Sequence, residues 1–319
     1  MDALTGIRNA GSLVITDTAD FNEIARFKPS EGTTNPSLLY QVAQLPQYEQ
    51  ILNETAQFAQ NLQGDLSTAD RLDRAVEYLA VQFGTEIYEL TGGVSTEADV
   101  TYSFHVQATV DAALRILKLY EKRNVPKSAV RIKISATWEG IQAARILEQE
   151  HGVSVLITIV FGMSQAIAAA EAGVTCIAPY VGRIGDWYKA NGATSQVKVA
   201  DMGVARVRDM QNYMRKYGYR TKIMAASFRN PEQAIGLAGV DLLTIAPSIL
   251  MKLEEMSLAV EPQLTAESGR LFCHSRNAML TCWQPYRAIL PKCHTSTMKA
   301  LSDGPSIQMP VLPRNLQRR

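Results

Sequence analysis

Lys133 lies in the middle of a β-branched, largely apolar run, Val130-Arg131-Ile132-Lys133-Ile134-Ser135. On a strand, alternation sends Arg131, Lys133 and Ser135 to one face and Ile132 and Ile134 to the other. If the strand is covered on both sides, an ammonium there carries a large desolvation cost or gives up its proton. A neutral buried amine is a nucleophile toward carbonyl carbon, so Lys133 is the candidate for Schiff-base chemistry. On an edge strand the same side chain would snorkel to water and do none.

Schiff-base chemistry on a sugar needs more than the amine: groups that shuttle protons, and donors that orient substrate hydroxyls. Polar residues with those capacities stand at the ends of other apolar runs. Glu97 is the natural proton shuttle, through a water held by Thr158, and Asp17 the natural acceptor of a substrate hydroxyl proton. Thr33, Asn35, Ser135 and Tyr180 offer further hydroxyl and amide contacts. Arg183, with Ser227 and Arg229, forms a phosphate clamp of guanidinium forks and a hydroxyl. Each residue also has an ordinary reading. Asp17 or Asn35 would cap a helix, with Pro36 suited to its first position, Thr158 is a common strand residue, and arginines are common on surfaces.

The elements that would bring these residues together are visible as punctuation. Apolar runs at Leu13–Thr16, Gly32–Thr34, Val94–Glu97, Val130–Ser135, Val153–Val160, Cys176–Tyr180, Lys222–Ala225 and Asp241–Ile245 read as eight strands. Helical spacing lies between them, around 46–83, 106–123, 138–150, 164–172, 203–217, 231–238 and 248–258. Eight strands alternating with helices predict an α/β fold, a single (β/α)8 TIM barrel with extra helices. An open nucleotide-binding sheet would carry a glycine fingerprint, and neither GxGxxG nor GxxxxGK[ST] occurs. In such barrels the chemistry sits at the C-terminal ends of the strands, toward which the candidate site residues lie.

Composition removes other classes. The 319 residues accommodate one barrel of about 250 residues with extensions. With 32 basic and 31 acidic residues the formal net charge is +1, so neither nucleic acid nor an anionic membrane is implied as partner. The N-terminus lacks a basic segment followed by an apolar one, and no run reaches the ~18 apolar residues of a membrane span. The expectation is a cytoplasmic protein. Cys176, Cys273, Cys282 and Cys293 form no CxxC pair, and with His274 and His294 they match no zinc template; no metal is expected.

Six stretches resemble transaldolase in its long form: Val14-Ile15-Thr16-Asp17-Thr18, Thr33-Thr34-Asn35-Pro36-Ser37-Leu38, Val94-Ser95-Thr96-Glu97, Ile132-Lys133-Ile134-Ser135-Ala136-Thr137-Trp138-Glu139-Gly140, Val181-Gly182-Arg183-Ile184-Gly185-Asp186-Trp187 and Ala226-Ser227-Phe228-Arg229-Asn230. The resemblance runs in order from about residue 10 to about residue 260. It implies a cofactor-free class I aldolase barrel, a cytosolic homodimer acting on sugar phosphates. Such enzymes move a dihydroxyacetone unit from sedoheptulose 7-phosphate to glyceraldehyde 3-phosphate, yielding erythrose 4-phosphate and fructose 6-phosphate. It assigns the Schiff base to Lys133, acid–base roles to Asp17 and Glu97, substrate and water placement to Thr33, Asn35 and Thr158, and phosphate binding to Arg183, Ser227 and Arg229.

Four positions depart from the family pattern. Leu156 stands where an asparagine is usual, Ala178 where a serine is, and Thr101 where an arginine is, each deleting hydrogen-bonding capacity; Tyr180 replaces a phenylalanine. A phenol there would protonate an enamine, as in the related fructose 6-phosphate aldolases, or would only fill the Phe volume. A free aldolase and a sugar-phosphate-binding homologue without turnover are therefore the alternatives. The domain expectation is a barrel over 1–260 and a divergent extension over 261–319. Helical periodicity fades in that extension and prolines 305, 310 and 313 prevent a helix, so it is expected to be partly disordered.

Overall fold

The computed structural model describes residues 1–191 and 201–270. The first half runs α1 (Ala3–Asn9), β1 (Leu13–Asp17), α2 (Phe21–Phe27), β2 (Gly32–Thr33), α3 (Pro36–Val42), α4 (Glu49–Gln60), α5 (Thr68–Thr91), β3 (Val94–Glu97), α6 (Val106–Glu121) and β4 (Val130–Ser135). The second half continues with α7 (Trp138–Gln149), β5 (Val155–Val160), α8 (Met163–Glu171), β6 (Cys176–Pro179), α9 (Val181–Ala190), α10 (Met202–Lys216), β7 (Lys222–Ala225), α11 (Pro231–Ile235), β8 (Leu242–Ile245), α12 (Pro247–Glu255) and α13 (Ala266–Arg270).

All eight strands are parallel and close into a barrel in sequence order, β8 pairing back onto β1. This is the (β/α)8 architecture expected from the alternation of runs. Each strand sits between the lumen and a helical layer, so the outward Ile132 and Ile134 of β4 are buried just as the inward residues are. Each such isoleucine gains about 1.5–3 kcal/mol by leaving water. Inside the lumen Ile15, Leu156, Cys176, Ala178, Met224, Ala226 and Leu242 pack as one buried cluster that forms the floor of the mouth.

Helix starts follow capping chemistry. Asp2, Asn35, Ser67, Thr137, Asp201 and Asn230 each accept a backbone N–H of the first turn, and Ser67 forms a reciprocal capping box with Asp70. The helical stretch expected over 46–83 is two helices, α4 and α5. The turn between them passes Gly64 at φ +93°, a conformation suited to glycine. Helices α1, α2, α3 and α9 carried no periodic signal. The first three span only 7 residues each, and the α9 sequence has Gly182 and Gly185 where apolar spacing would show.

The seam between first and last strands is sealed below the lumen by Ser12, which is buried. Its Oγ accepts the Gly239 N–H at 2.9 Å and donates to the Val240 carbonyl at 2.7 Å. Past the expected boundary at 260 the chain stays packed: the Gln263 N–H bonds the Ala238 carbonyl at 2.8 Å and Leu264 is buried against Gly239. The rest of the extension, including Cys273, Cys282, Cys293, His274 and His294, lies outside the described residues. Among the described residues no helix is long and apolar enough to cross a membrane, and no group of three or more metal-ligating side chains converges.

Candidate active site

A cavity of about 150 Å³ opens at the C-terminal ends of the strands. Its polar wall carries Asp17, Thr33, Asn35, Thr158, Ser227 and Thr244; Leu156, Ala178, Met224 and Ala226 make an apolar wall, and Lys133, Tyr180 and Arg183 complete it.

Lys133, between β3 and β5 on β4, is buried, 6% exposed, and lines the cavity. Glu97 is its register partner on β3, so the two side chains leave neighbouring strands in the same direction. Nζ lies 3.0 Å from Glu97 Oε2 and 3.3 Å from the Thr34 carbonyl oxygen. Burial works against the ammonium, but the charges around it, Glu97 first and Asp17 among them, outweigh burial and push the amine above its ordinary pKa. Lys133 and Glu97 thus form an ion pair at the cavity. Glu97 Oε2 is in direct contact with Nζ.

Asp17, at the end of β1, accepts the Thr33 hydroxyl at 3.0 Å, and Thr33 Oγ1 in turn lies 2.7 Å from Thr244 Oγ1. Burial raises the Asp17 pKa, and Lys133 and the Thr33 hydrogen bond pull it partly back. Asn35 does both things its residue type allows. Its side-chain oxygen caps α3 by accepting the Leu38 N–H at 3.0 Å, and the residue also lines the cavity, so its amide NH₂ remains for a ligand.

Thr158 is followed by Ile159 at φ +61°, where the β5–β6 register shifts; the bulge keeps Thr158 facing the lumen while Val160 pairs with Pro179. Thr158 Oγ1 lies 3.0 Å from the Tyr180 hydroxyl. Burial raises the Tyr180 pKa, so its phenol is neutral over the physiological range. The ring packs edge-to-face with Phe161 and under the Arg183 guanidinium, 5.6 Å from the ring centre.

Arg183 enters from the first turn of α9, and Ser227 borders the same end of the cavity. The Gly182 N–H bonds the Ser227 carbonyl at 3.0 Å; a Cβ on Gly182 would meet that oxygen at 2.5 Å and Arg229 Cγ at 2.7 Å. Glycine is thus required for α9 to approach the Ser227–Arg229 loop. Arg229 does not line the cavity itself. Its Nε and Nη2 bond Asp186 Oδ2 at 3.0 and 2.8 Å, with both side chains about half exposed.

Ser135, at the end of β4 and register partner of Thr158, is buried and accepts the Ser103 hydroxyl at 3.0 Å; it is not among the residues lining the cavity. Thr101 lies in the loop after β3, held by Asp99. Thr244 was not anticipated. Alternation along Leu242-Leu243-Thr244-Ile245 would have placed it inside with Leu242.

A transaldolase/fructose-6-phosphate aldolase family model matches residues 14–284. The chain is 42% identical over 304 residues to a transaldolase of Kluyveromyces lactis, covering 95% of this chain and 90% of that one. It is 44% identical over 253 residues to a transaldolase of Saccharomyces cerevisiae, covering 79% and 75%. With a transaldolase of Methylococcus capsulatus it shares 48% identity over 246 residues, covering 76% and 74%.

Proposed function

This chain belongs to the transaldolase/fructose-6-phosphate aldolase family, and we propose that it transfers a dihydroxyacetone unit between sugar phosphates through a Schiff base on Lys133. The enzyme is a transferase of transaldolase type. The observation that carries the residue assignment is the Lys133–Glu97 contact of 3.0 Å inside a cavity that also exposes Asp17.

In this reading a ketose phosphate such as sedoheptulose 7-phosphate or fructose 6-phosphate enters with its phosphate toward Arg183, Ser227 and Arg229. Glu97 takes the Lys133 proton, the freed amine attacks C2, and Glu97 supplies the proton on which water leaves, giving an iminium. Asp17 removes the C4 hydroxyl proton as the C3–C4 bond breaks. The bonding electrons enter the iminium and form an enamine, while the aldose phosphate departs. The acceptor aldehyde binds in the same place, the enamine carbon attacks it, Asp17 returns its proton to the new alkoxide, and hydrolysis frees Lys133. Asn35 and Thr33 orient the hydroxyls of the retained unit. Thr158 and Tyr180 hold the far side of the cavity. Cytosolic residence and assembly as a homodimer belong to the same reading and rest on the family resemblance.

Borohydride reduction in the presence of fructose 6-phosphate is expected to leave one covalent adduct, located on Lys133 by peptide mass spectrometry and absent in Lys133→Ala. No adduct in the wild type, or an undiminished adduct in the variant, overturns the assignment.

A further inference from the structure

Two hydroxyls stand in line with Asp17. Thr33 Oγ1 is 3.0 Å from Asp17 Oδ1 and 2.7 Å from Thr244 Oγ1, and the two threonines are 2% and 5% exposed. They reach this position from opposite sides of β1. Thr33 is the register partner of Asp17 on β2, and Thr244 pairs with Ile15 on β8, two residues below.

Counting protons fixes the direction of the line. Thr33 gives its single hydroxyl proton to Asp17 Oδ1. Toward Thr244 it is then an acceptor, and Thr244 must donate. We propose that Thr244 is a positioning residue, the start of a one-way relay Thr244→Thr33→Asp17 that keeps the Asp17 carboxylate ionised and aimed into the cavity. The inference rests on the acid–base reading of Asp17. Each donor polarises the next, so the Thr33 bond to the carboxylate is stronger with Thr244 behind it. Having donated, the Thr244 oxygen keeps lone pairs on the cavity wall it lines, where a substrate hydroxyl or a water can donate to it. The other ionisable groups that act on Asp17 are Lys133 from β4, with Glu97 of β3 paired to it, and the Tyr180 hydroxyl after β6. Thr33 and Thr244 are neutral, so removing either changes hydrogen bonding to Asp17 without changing its charged neighbours.

Thr244→Val keeps the side-chain shape and deletes the donor, and Thr244→Ser keeps the donor. The Asp17 carboxyl can be titrated by ¹³C NMR in the unliganded enzyme, its signal identified by loss in Asp17→Asn, beside the pH profile of kcat/KM. In Thr244→Val the Asp17 midpoint and the acidic limb of the profile are expected to rise together by about half to one pH unit, with Thr244→Ser close to wild type. Thr33→Val, which cuts the line in the middle, should raise the midpoint at least as much, and Thr244→Ala repeats the test if the valine does not fold. An unchanged midpoint in a folded Thr244 variant lacking the hydroxyl overturns the relay. Because the titration needs no turnover, a shifted midpoint beside an Asp17→Asn enzyme of wild-type kcat would uphold the relay and overturn instead the role of Asp17.

Discussion

At the level of single residues the site is governed by charge held out of water. The charge of Glu97 beside Lys133 raises the amine's pKa, and in the proposed reaction Glu97 would also receive its proton when a ketone arrives. Glu97→Gln is expected to lower kcat by about 10²–10⁴-fold, the usual contribution of a positioned acid–base group. Borohydride trapping in that variant should extend to lower pH, since burial then acts on the amine without the facing carboxylate; trapping with an unaltered pH profile would contradict the pairing. Asp17 supplies a second test. Its pKa is raised in the folded protein, so the carboxyl contributes stability at acid pH that is lost as pH rises through its folded value. Asp17→Asn should therefore melt above wild type at pH 8, with the gap closing below about pH 4, the ordinary range of an aspartate. A variant that melts lower at pH 8 would show that the Lys133 charge outweighs burial.

At the level of elements, Asn35 shows how a helix start and a ligand contact share one side chain. The β2–α3 turn needs an acceptor at the cap, and Pro36 follows at the first helical position. Asn35→Asp retains the acceptor for the Leu38 N–H but loses the NH₂ facing the cavity. It is expected to keep wild-type stability while losing activity, whereas Asn35→Ala should lose both, the cap costing about 1 kcal/mol. Chemical denaturation alongside kcat measurements separates the two; equal stability loss in both variants would remove the capping role. The cap was readable from Asn-Pro alone. That the same residue also lines the cavity depends on β2 standing next to β1 and Lys133 pointing inward from β4. Ser135 shares the face of Lys133 by alternation, yet its hydroxyl accepts that of Ser103 and it does not line the cavity. Helices α2, α3 and α9 show no period for a related reason, since about two to three turns with glycines or caps leave too few positions for one to appear.

At the level of the whole molecule, the site exists only because the barrel closes, and the closing seam is the β8–β1 pairing. Ser12 satisfies two backbone groups at that seam from a buried position. Ser12→Ala leaves the Gly239 N–H and the Val240 carbonyl without this partner and should cost about 1–3 kcal/mol in urea denaturation. The transition is expected to stay single and cooperative, because strands on both sides of the seam belong to one lumen. A loss below about 0.5 kcal/mol, the level of ordinary surface changes, would mean the seam does not need the hydroxyl.

The strand runs, their alternation and the polar residues at the ends of most of them were set by local chemistry, and so were legible without coordinates: β-branching and period two hold for a strand whatever its neighbours. Eight such runs between helices leave few arrangements other than a closed barrel. What alternation cannot state is which inward side chains meet, because that depends on register between strands far apart in sequence. Register put Glu97 beside Lys133 and so raised the pKa of the amine. Closure brought Thr244 of the last strand to Thr33 and Asp17 of the first two, and the approach of α9 set Arg229 against Asp186. Electrostatic state is a property of neighbours in space, and only the tertiary fold supplies those neighbours.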